Sequence, residues 1–216
     1  MRPPLTVIEQ PVVLPPSPVP VPGRGGVAAW DVDGTLVFGD TLLPFLRRFV
    51  GTAALSGILL DVIARNLLSR DAAKAALLQR VLGGRELAEV DAVARDYTTT
   101  LMHRTRPGCL RRWQWHRNQG HRLVLASASP DLYLTHLGSR LGADAVLSTT
   151  MEVVNGRVTG RMIGPNCRGE HKASRLLHYL SGHPTNKLWA YGNSRADEPM
   201  LALADVAERR PGRITR

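Results

Sequence analysis

Four apolar residues, Val27-Ala28-Ala29-Trp30, run straight into Asp31-Val32-Asp33-Gly34-Thr35. An apolar run this short, bounded by turn residues, reads as a buried strand, and two carboxylates cannot follow it into a core without partners. The two carboxylates stand one residue apart at the end of this strand, where the chain turns into a loop. A strand points residues i and i+2 the same way, yet a break into a loop at Gly34 lets the two carboxylates approach one centre from different sides. Asp31 can then form a bond to an electrophile while Asp33 handles protons. Gly34 and Thr35 let the backbone turn tightly around a small anion. Asp and Gly are also common turn formers, so a solvated turn has the same composition, and the choice rests on the rest of the chain.

Three later stretches, in order, supply that context. Leu123-Val124-Leu125-Ala126-Ser127 is apolar and ends in a hydroxyl, with Pro130 at a helix start behind it. Ser127 can donate a hydrogen bond to a phosphoryl oxygen. Lys172 stands near the start of a helix after Asn166-Cys167-Arg168-Gly169-Glu170-His171, where an ammonium can neutralise that group and hold the nucleophile. Leu188-Trp189-Ala190-Tyr191-Gly192 again runs into an oxygen-rich turn, Asn193-Ser194-Arg195-Ala196-Asp197.

These four motifs, in this order, resemble those of the haloacid dehalogenase superfamily of aspartyl-phosphate phosphatases, over roughly Val27 to Asp205. Within it the chain looks most like the branch that holds phosphoserine phosphatases and bacterial phosphatidylglycerophosphate phosphatases. The resemblance implies an α/β fold: a Rossmann-like core with a mainly parallel sheet, at 27–39 and 107–216, and a helical cap inserted after the first strand, at 40–106. It implies Asp31 as nucleophile, Asp33 as acid/base with its backbone carbonyl on the metal, and Ser127 and Lys172 on the phosphoryl group. Mg2+ would be held by Asp31, Asp33, Asn193 and Asp197. Gly34, Thr35, Ala128 and Asp40 are the expected substrate contacts. Asp40 stands nine residues after Asp31, where phosphoserine phosphatases carry a glutamate that meets the substrate amine. Lys74, Arg80 and Arg85 are the candidates for a cation facing a substrate carboxylate.

Asn193 departs from the family pattern, in which an aspartate follows the glycine and binds the metal directly. A carboxamide still offers a carbonyl oxygen, and magnesium is commonly held by one or two carboxylates plus water and substrate phosphate. Asp197 has a second reading as an N-terminal helix carboxylate favoured by the helix dipole. The expected activity is magnesium-dependent hydrolysis of a phosphate monoester, either phosphoserine-like or a lipid phosphate. The alternatives are a phosphotransferase, and a basic phosphate- or polyanion-binding protein that keeps the fold without turnover. Dehalogenation fits less well, because halide leaves without the proton that Asp33 would supply.

With 216 residues, 44% of them hydrophobic, the chain can build one domain with an insertion. No run is long and uncharged enough to cross a bilayer; the nearest, Gly51 to Leu68, is broken by Asp61 and Arg65. It reads as a cap helix, although its leucines would also suit a lipid surface. The first ten residues lack the layout of a secretory signal, so a cytoplasmic location is expected. Residues 1–26 are rich in proline and predict an extended, disordered leader. Cys109 and Cys167 support neither a disulfide framework nor a zinc site.

The net charge of +10 attracts nucleic acid, anionic membranes and small anions alike. Arg111, Arg112, Trp113, Trp115, His116, Arg117 and Arg122 have the make-up of a single-strand binder. A solvated helix face is the preferred reading, and nucleic acid is not an expected partner. Four arginines from Arg209 to Arg216 leave a peripheral membrane contact open. Apolar spacing predicts helices over 42–49, 53–68, 71–82, 86–101, 109–118 and 132–141, and strands over 123–125 and 143–147. Asn155-Gly156 between β-branched residues predicts a two-residue hairpin at the edge of the core sheet.

Overall fold

The computed structural model describes residues 25–65 and 69–209. The expected leader up to Arg24, the basic tail beyond Arg209 and the last residues of the 53–68 helix lie outside the described residues. Strand β1 (Val27–Trp30) is followed by helices α1 (Leu42–Arg65), α2 (Arg70–Leu82) and α3 (Leu87–His103), with the two-residue β2 (Arg85–Glu86) before the third. The chain continues through α4 (Pro107–Asn118), β3 (Arg122–Pro130), α5 (Asp131–Leu141), the hairpin β4 (Ala145–Val154) and β5 (Arg157–Ile163), and α6 (Glu170–Gly182). It closes with β6 (Leu188–Gly192), a 3-10 turn at Arg195–Asp197, α7 (Glu198–Leu201) and β7 (Val206–Arg209).

The strands form one sheet in the order β2-β5-β4-β3-β1-β6-β7. Neighbours from β4 to β7 are parallel, while β5 runs against β4 and β2 against β5. This is the α/β fold with a mainly parallel sheet that the motifs imply. Register places Trp30 beside Leu125 on one side and Tyr191 on the other, so the three apolar runs of the central strands lie level. The loops that follow them therefore open into the same space, at the carboxyl ends where open α/β sheets place ligands.

Alternation along the strands sets the two layers of the core. Ala28, Trp30, Leu123, Leu125 and Tyr191 pack on one face with residues of α1 to α5. Val27, Ala29, Val124, Ala126, Leu188 and Ala190 pack on the other with Leu176 of α6 and with Met200 and Leu201 of α7. Trp30 stacks on Tyr191, ring centroids 3.8 Å apart and 15° from parallel, with Trp113 tilted against it at 5.9 Å. Such aromatic pairs add roughly 0.5–1.5 kcal/mol each beyond the area they bury.

Several boundaries differ from the expectation. The two helices foreseen at 42–49 and 53–68 form one element broken at Gly51, where the backbone leaves the helical region (φ 76). The hairpin turns at Asn155 (φ 50) and Gly156 (φ 75), the mirror-image turn that matches strand twist. It does not edge the sheet. After Gly83-Gly84 stops α2, the Gly84 N–H donates to Val158 O and lays Arg85–Glu86 along β5, so the expected helix at 86 starts one residue later. Strand β3 runs past its expected end to Pro130, with its pairing to β4 shifted between Ala126 and Pro130. No helix among the described residues is long and apolar enough to cross a membrane.

The basic aromatic stretch on α4 is divided: Arg111 and Trp115 are exposed, as a solvated face requires, while three of its residues turn inward. Trp113, His116 and Arg117 are buried. Trp113 Nε1 donates to Leu141 O at 3.1 Å, and Arg117 Nη2 donates to the same carbonyl at 3.0 Å. Arg112 Nε donates to Tyr191 Oη (3.2 Å), His116 Nε2 lies 2.7 Å from that oxygen, and His116 Nδ1 lies 2.7 Å from His121 Nδ1. A single polarity satisfies the chain: Arg112 to Tyr191, Tyr191 to His116, His116 to His121, with both imidazoles neutral.

Burial, with His121 and Arg112 adding repulsion, pushes His116 down to about 3. The unfolded chain, with histidine near its ordinary ~6.5, then binds protons that the folded chain refuses, so stability is lost as pH falls through that value. His116→Phe is expected to remove a loss of about 2 kcal/mol between pH 7 and pH 5, read from urea unfolding. An unchanged pH slope in the variant would contradict this.

Candidate active site

Asp31 follows β1 directly, and its N–H extends the ladder by donating to Tyr191 O at 2.9 Å. Its Oδ1 accepts from Lys172 Nζ at 2.8 Å and its Oδ2 from Thr35 Oγ1 at 2.7 Å. Lys172, from the first turn of α6, also donates to Asp197 Oδ1 at 2.6 Å. The three side chains are almost wholly buried, at 8%, 3% and 2% exposure for Asp31, Lys172 and Asp197. Burial raises the Asp31 carboxyl to about 6 against the pull of Lys172. Two carboxylates overcome desolvation to hold Lys172 well above its ordinary range, and Lys172 holds Asp197 below its own.

Asp197, expected on the metal, spends both oxygens inside the protein. Its Oδ2 accepts from Asn193 N (3.1 Å), Ser194 N (3.0 Å) and Ser194 Oγ (2.8 Å), so it shapes the turn after β6 while anchoring the lysine. A Cβ on Gly192 would come within 2.6 Å of the Asp197 Cβ, which makes this close approach possible only for glycine. The same holds at Gly34, where φ is +73 and a Cβ would lie 2.1 Å from Asn193 Nδ2. The first and last motifs are thus packed against each other across a residue with no side chain.

Asp33 is held by four donors. Thr41 N and Thr41 Oγ1 reach Oδ1, both at 2.7 Å, and Ser129 Oγ (2.8 Å) and Ser127 Oγ (3.1 Å) reach Oδ2. Ser127, expected on a phosphoryl oxygen, is fully buried and turned to Asp33 instead. Thr41 is fixed in turn by Tyr133 Oη at 2.9 Å and by Tyr97, whose hydroxyl donates to Thr41 O at 2.7 Å.

These groups border a cavity of about 370 Å3. Of the ten expected site residues, Asp31, Asp33, Asp40, Ala128, Lys172, Asn193 and Asp197 line it, whereas Gly34, Thr35 and Ser127 stand behind it. Asp40 also caps α1, accepting from Leu43 N at 2.8 Å, and burial raises its carboxyl. Among the three candidate cations only Lys74 reaches the cavity; Arg80 pairs with Asp61, and Arg85 with Glu89. Arg70, Asp71, Ser129, Asn166, Arg168 and Ser194 also line it, and the sequence reading did not assign them. Ser129 was visible as the second hydroxyl of Ser127-Ala128-Ser129, and Asn166 and Arg168 stood in the segment leading to Lys172. Arg70 and Asp71 carry no local signal and become site residues only through the placement of α2. Cys167 is buried with its thiol raised by burial, so it behaves as a small apolar residue.

The lining offers carboxylate, carboxamide, hydroxyl and backbone oxygens and neither thiol nor imidazole, which is the donor chemistry of a hard cation. Among the described residues no cluster of three or more His, Cys, Asp or Glu is arranged as a metal cage. With Asp197 engaged, the donors nearest Asn193 and Asp31 suit an ion that keeps water and substrate ligands, as magnesium does. The residues fit that ion.

Fold and site together define an α/β protein in which a buried carboxylate and lysine meet at the carboxyl ends of parallel strands. The sequence profile of the haloacid dehalogenase-like hydrolases matches residues 28–202, and the chain belongs to that family. It is 32% identical over 188 residues to protein CicA of Caulobacter vibrioides, covering 83% of each chain. It is 30% identical over 193 residues to phosphoserine phosphatase SerB1 of Mycobacterium tuberculosis, covering 83% of this chain and 63% of that one. A solved structure of a Bordetella pertussis protein of unknown function shares the fold, with a TM-score of 0.73, 19% identity, and coverage of 85% of this chain and 89% of the other.

Replacing Lys172 by Met leaves two buried carboxylates without their shared partner, and the expected cost is about 3–5 kcal/mol. Urea unfolding at neutral pH measures it. A loss below about 1 kcal/mol would show that the bridge is not what holds these carboxylates.

Proposed function

We propose that this chain is a magnesium-dependent phosphatase that hydrolyses a small polar phosphate monoester through an aspartyl-phosphate on Asp31. The observation that carries the reading is the buried Asp31 carboxylate, fixed by Lys172 and Thr35 at the wall of a cavity that Asp33 also borders. Each Asp31 oxygen accepts one hydrogen bond in this arrangement and keeps a lone pair. An Asp31 oxygen attacks phosphorus, the ester P–O bond breaks, and a proton from Asp33 goes to the departing alcohol oxygen. Asp33 then takes a proton from water as the water oxygen attacks phosphorus, which frees inorganic phosphate and restores Asp31.

Lys172 offsets the charge gathering at the acyl phosphate. Asp31, the Asp33 carbonyl and the Asn193 carboxamide are the groups that would hold magnesium, with Asp197 fixing their loop from behind. The bound ion would screen the repulsion between the carboxylates and a phosphate dianion, in a cavity lined by five carboxylates against four cations. Helices between residues 40 and 106 act as the cap in this reading, closing the cavity with Asp40, Arg70, Asp71 and Lys74. Charges of both signs, with only Leu42, Ala128 and Ala196 as apolar lining, favour a compact polar alcohol over acyl chains. The name of SerB1 supports an amino-acid phosphate such as phosphoserine.

Phosphate release from phosphoserine and a panel of soluble and lipid esters, with magnesium or with a chelator, tests this. Activity is expected to need the metal and to fall by at least about 10^3-fold in Asp31→Asn. Asn193→Asp is expected to lower the magnesium concentration giving half-maximal rate. Equal rates in wild type and Asp31→Asn would overturn the proposal.

A further inference from the structure

Lys74 was one of three candidates to face a substrate carboxylate, but its ammonium is engaged by the protein. Its Nζ donates to Ala128 O at 2.5 Å and Asn166 Oδ1 at 2.7 Å, with Thr149 Oγ1 at 3.4 Å. Asn166 is buried and ties the same helix a second time, its Nδ2 donating to Asp71 Oδ1 at 2.7 Å. Helix α2 is thereby bolted to the last residues of β3, where the pairing of β3 with β4 shifts register between Ala126 and Pro130 and leaves residues 127–129 outside the regular ladder.

The Ala128 carbonyl belongs to the same peptide unit as the Ser129 N–H. That N–H donates to Ser127 Oγ at 3.0 Å, and Ser127 Oγ donates to Asp33 Oδ2 at 3.1 Å. An unbroken line of donors and acceptors therefore runs from the ammonium on α2, through one peptide, to the carboxylate that manages protons. Chains of this kind polarise along their length. A cation on the carbonyl strengthens the N–H at the other end of the peptide, which strengthens the hydroxyl that orients Asp33.

We propose that Lys74 is a positioning residue for Asp33, acting through the Ala128–Ser129 peptide and Ser127, so that docking of α2 sets the geometry of proton transfer to the leaving group. The proposal rests on the acid/base role given to Asp33 above. It makes proton transfer depend on a helix that holds no reacting atom. Burial pushes Lys74 down to about 8, in keeping with an ammonium held by neutral oxygens rather than by a carboxylate at contact distance.

Leaving-group dependence separates this role from substrate binding. A nitrophenyl phosphate expels its alcohol without a proton, whereas a simple alkyl phosphate lacking a carboxylate needs one. The ratio of alkyl to aryl kcat/KM is expected to fall about tenfold in Lys74→Met, part of the ~10^2–10^4-fold that acid catalysis supplies. Lys74→Arg, which can still donate to Ala128 O, should restore much of it. If Lys74→Met does not fold, Asn166→Ala removes the second acceptor and should shift the ratio the same way.

Asp33→Asn is the control that tells the two failures apart. Should Asp33→Asn show the ratio change while Lys74→Met lowers both substrates equally, or loses only phosphoserine, the relay is wrong and the acid/base assignment stands. Should Asp33→Asn itself leave the ratio unchanged, the acid/base assignment falls and the relay falls with it.

Discussion

The ammonium of Lys172, held between Asp31 and Asp197, is the contact on which the rest of the site depends. It lets two carboxylates lie almost fully buried at the end of a sheet, where either alone would be driven to protonate. One of them faces the cavity and the other reaches back to organise the Asn193–Ser194 turn. A single cation from α6 thus joins loops from β1 and β6 that are separated by well over a hundred residues. Burial raises the Asp31 carboxyl to about 6 against the pull of Lys172, and a bound divalent ion would favour its charged form further.

The sheet supplies the frame that makes such a bridge possible. Trp30, Leu125 and Tyr191 lie at the same level in adjacent parallel strands, so Asp31 and Asn193 enter one shared space while Ser127 supports Asp33 from behind it. Behind them the Trp113–Trp30–Tyr191 cluster and the Arg112–Tyr191–His116 chain hold β1 and β6 in place from one face. Arg112, Trp113 and His116 of α4, which could have formed part of a nucleic-acid surface, are engaged in that task, while Arg111 and Trp115 stay exposed. Net charge says little about function once its carriers are located.

Much of this was legible because chemistry and topology coincide at strand ends. Three apolar runs with polar tips, joined by the lysine motif, pointed to the fold class, and seven of the ten expected residues line one cavity. What could not be read locally depended on orientation. Ser127 was recognised as a hydroxyl at a strand end, but nothing in its neighbours shows that it turns to Asp33 rather than outward. Lys74 was one of three equal candidates until the placement of α2 chose it and bonded it to a backbone carbonyl. Gly83-Gly84 read as a helix break, and only the presence of β5 nearby turns the residues beyond it into a strand.

The central claim is that Asp31 carries the phosphoryl group between two half-reactions. Acid quenching during steady-state turnover, followed by digestion and mass spectrometry, tests it most directly. The account predicts one phosphoryl group on the peptide that contains Asp31, labile to hydroxylamine and absent from Asp31→Asn. Steady phosphate release with no modified peptide, or with the group on any other residue, would contradict it.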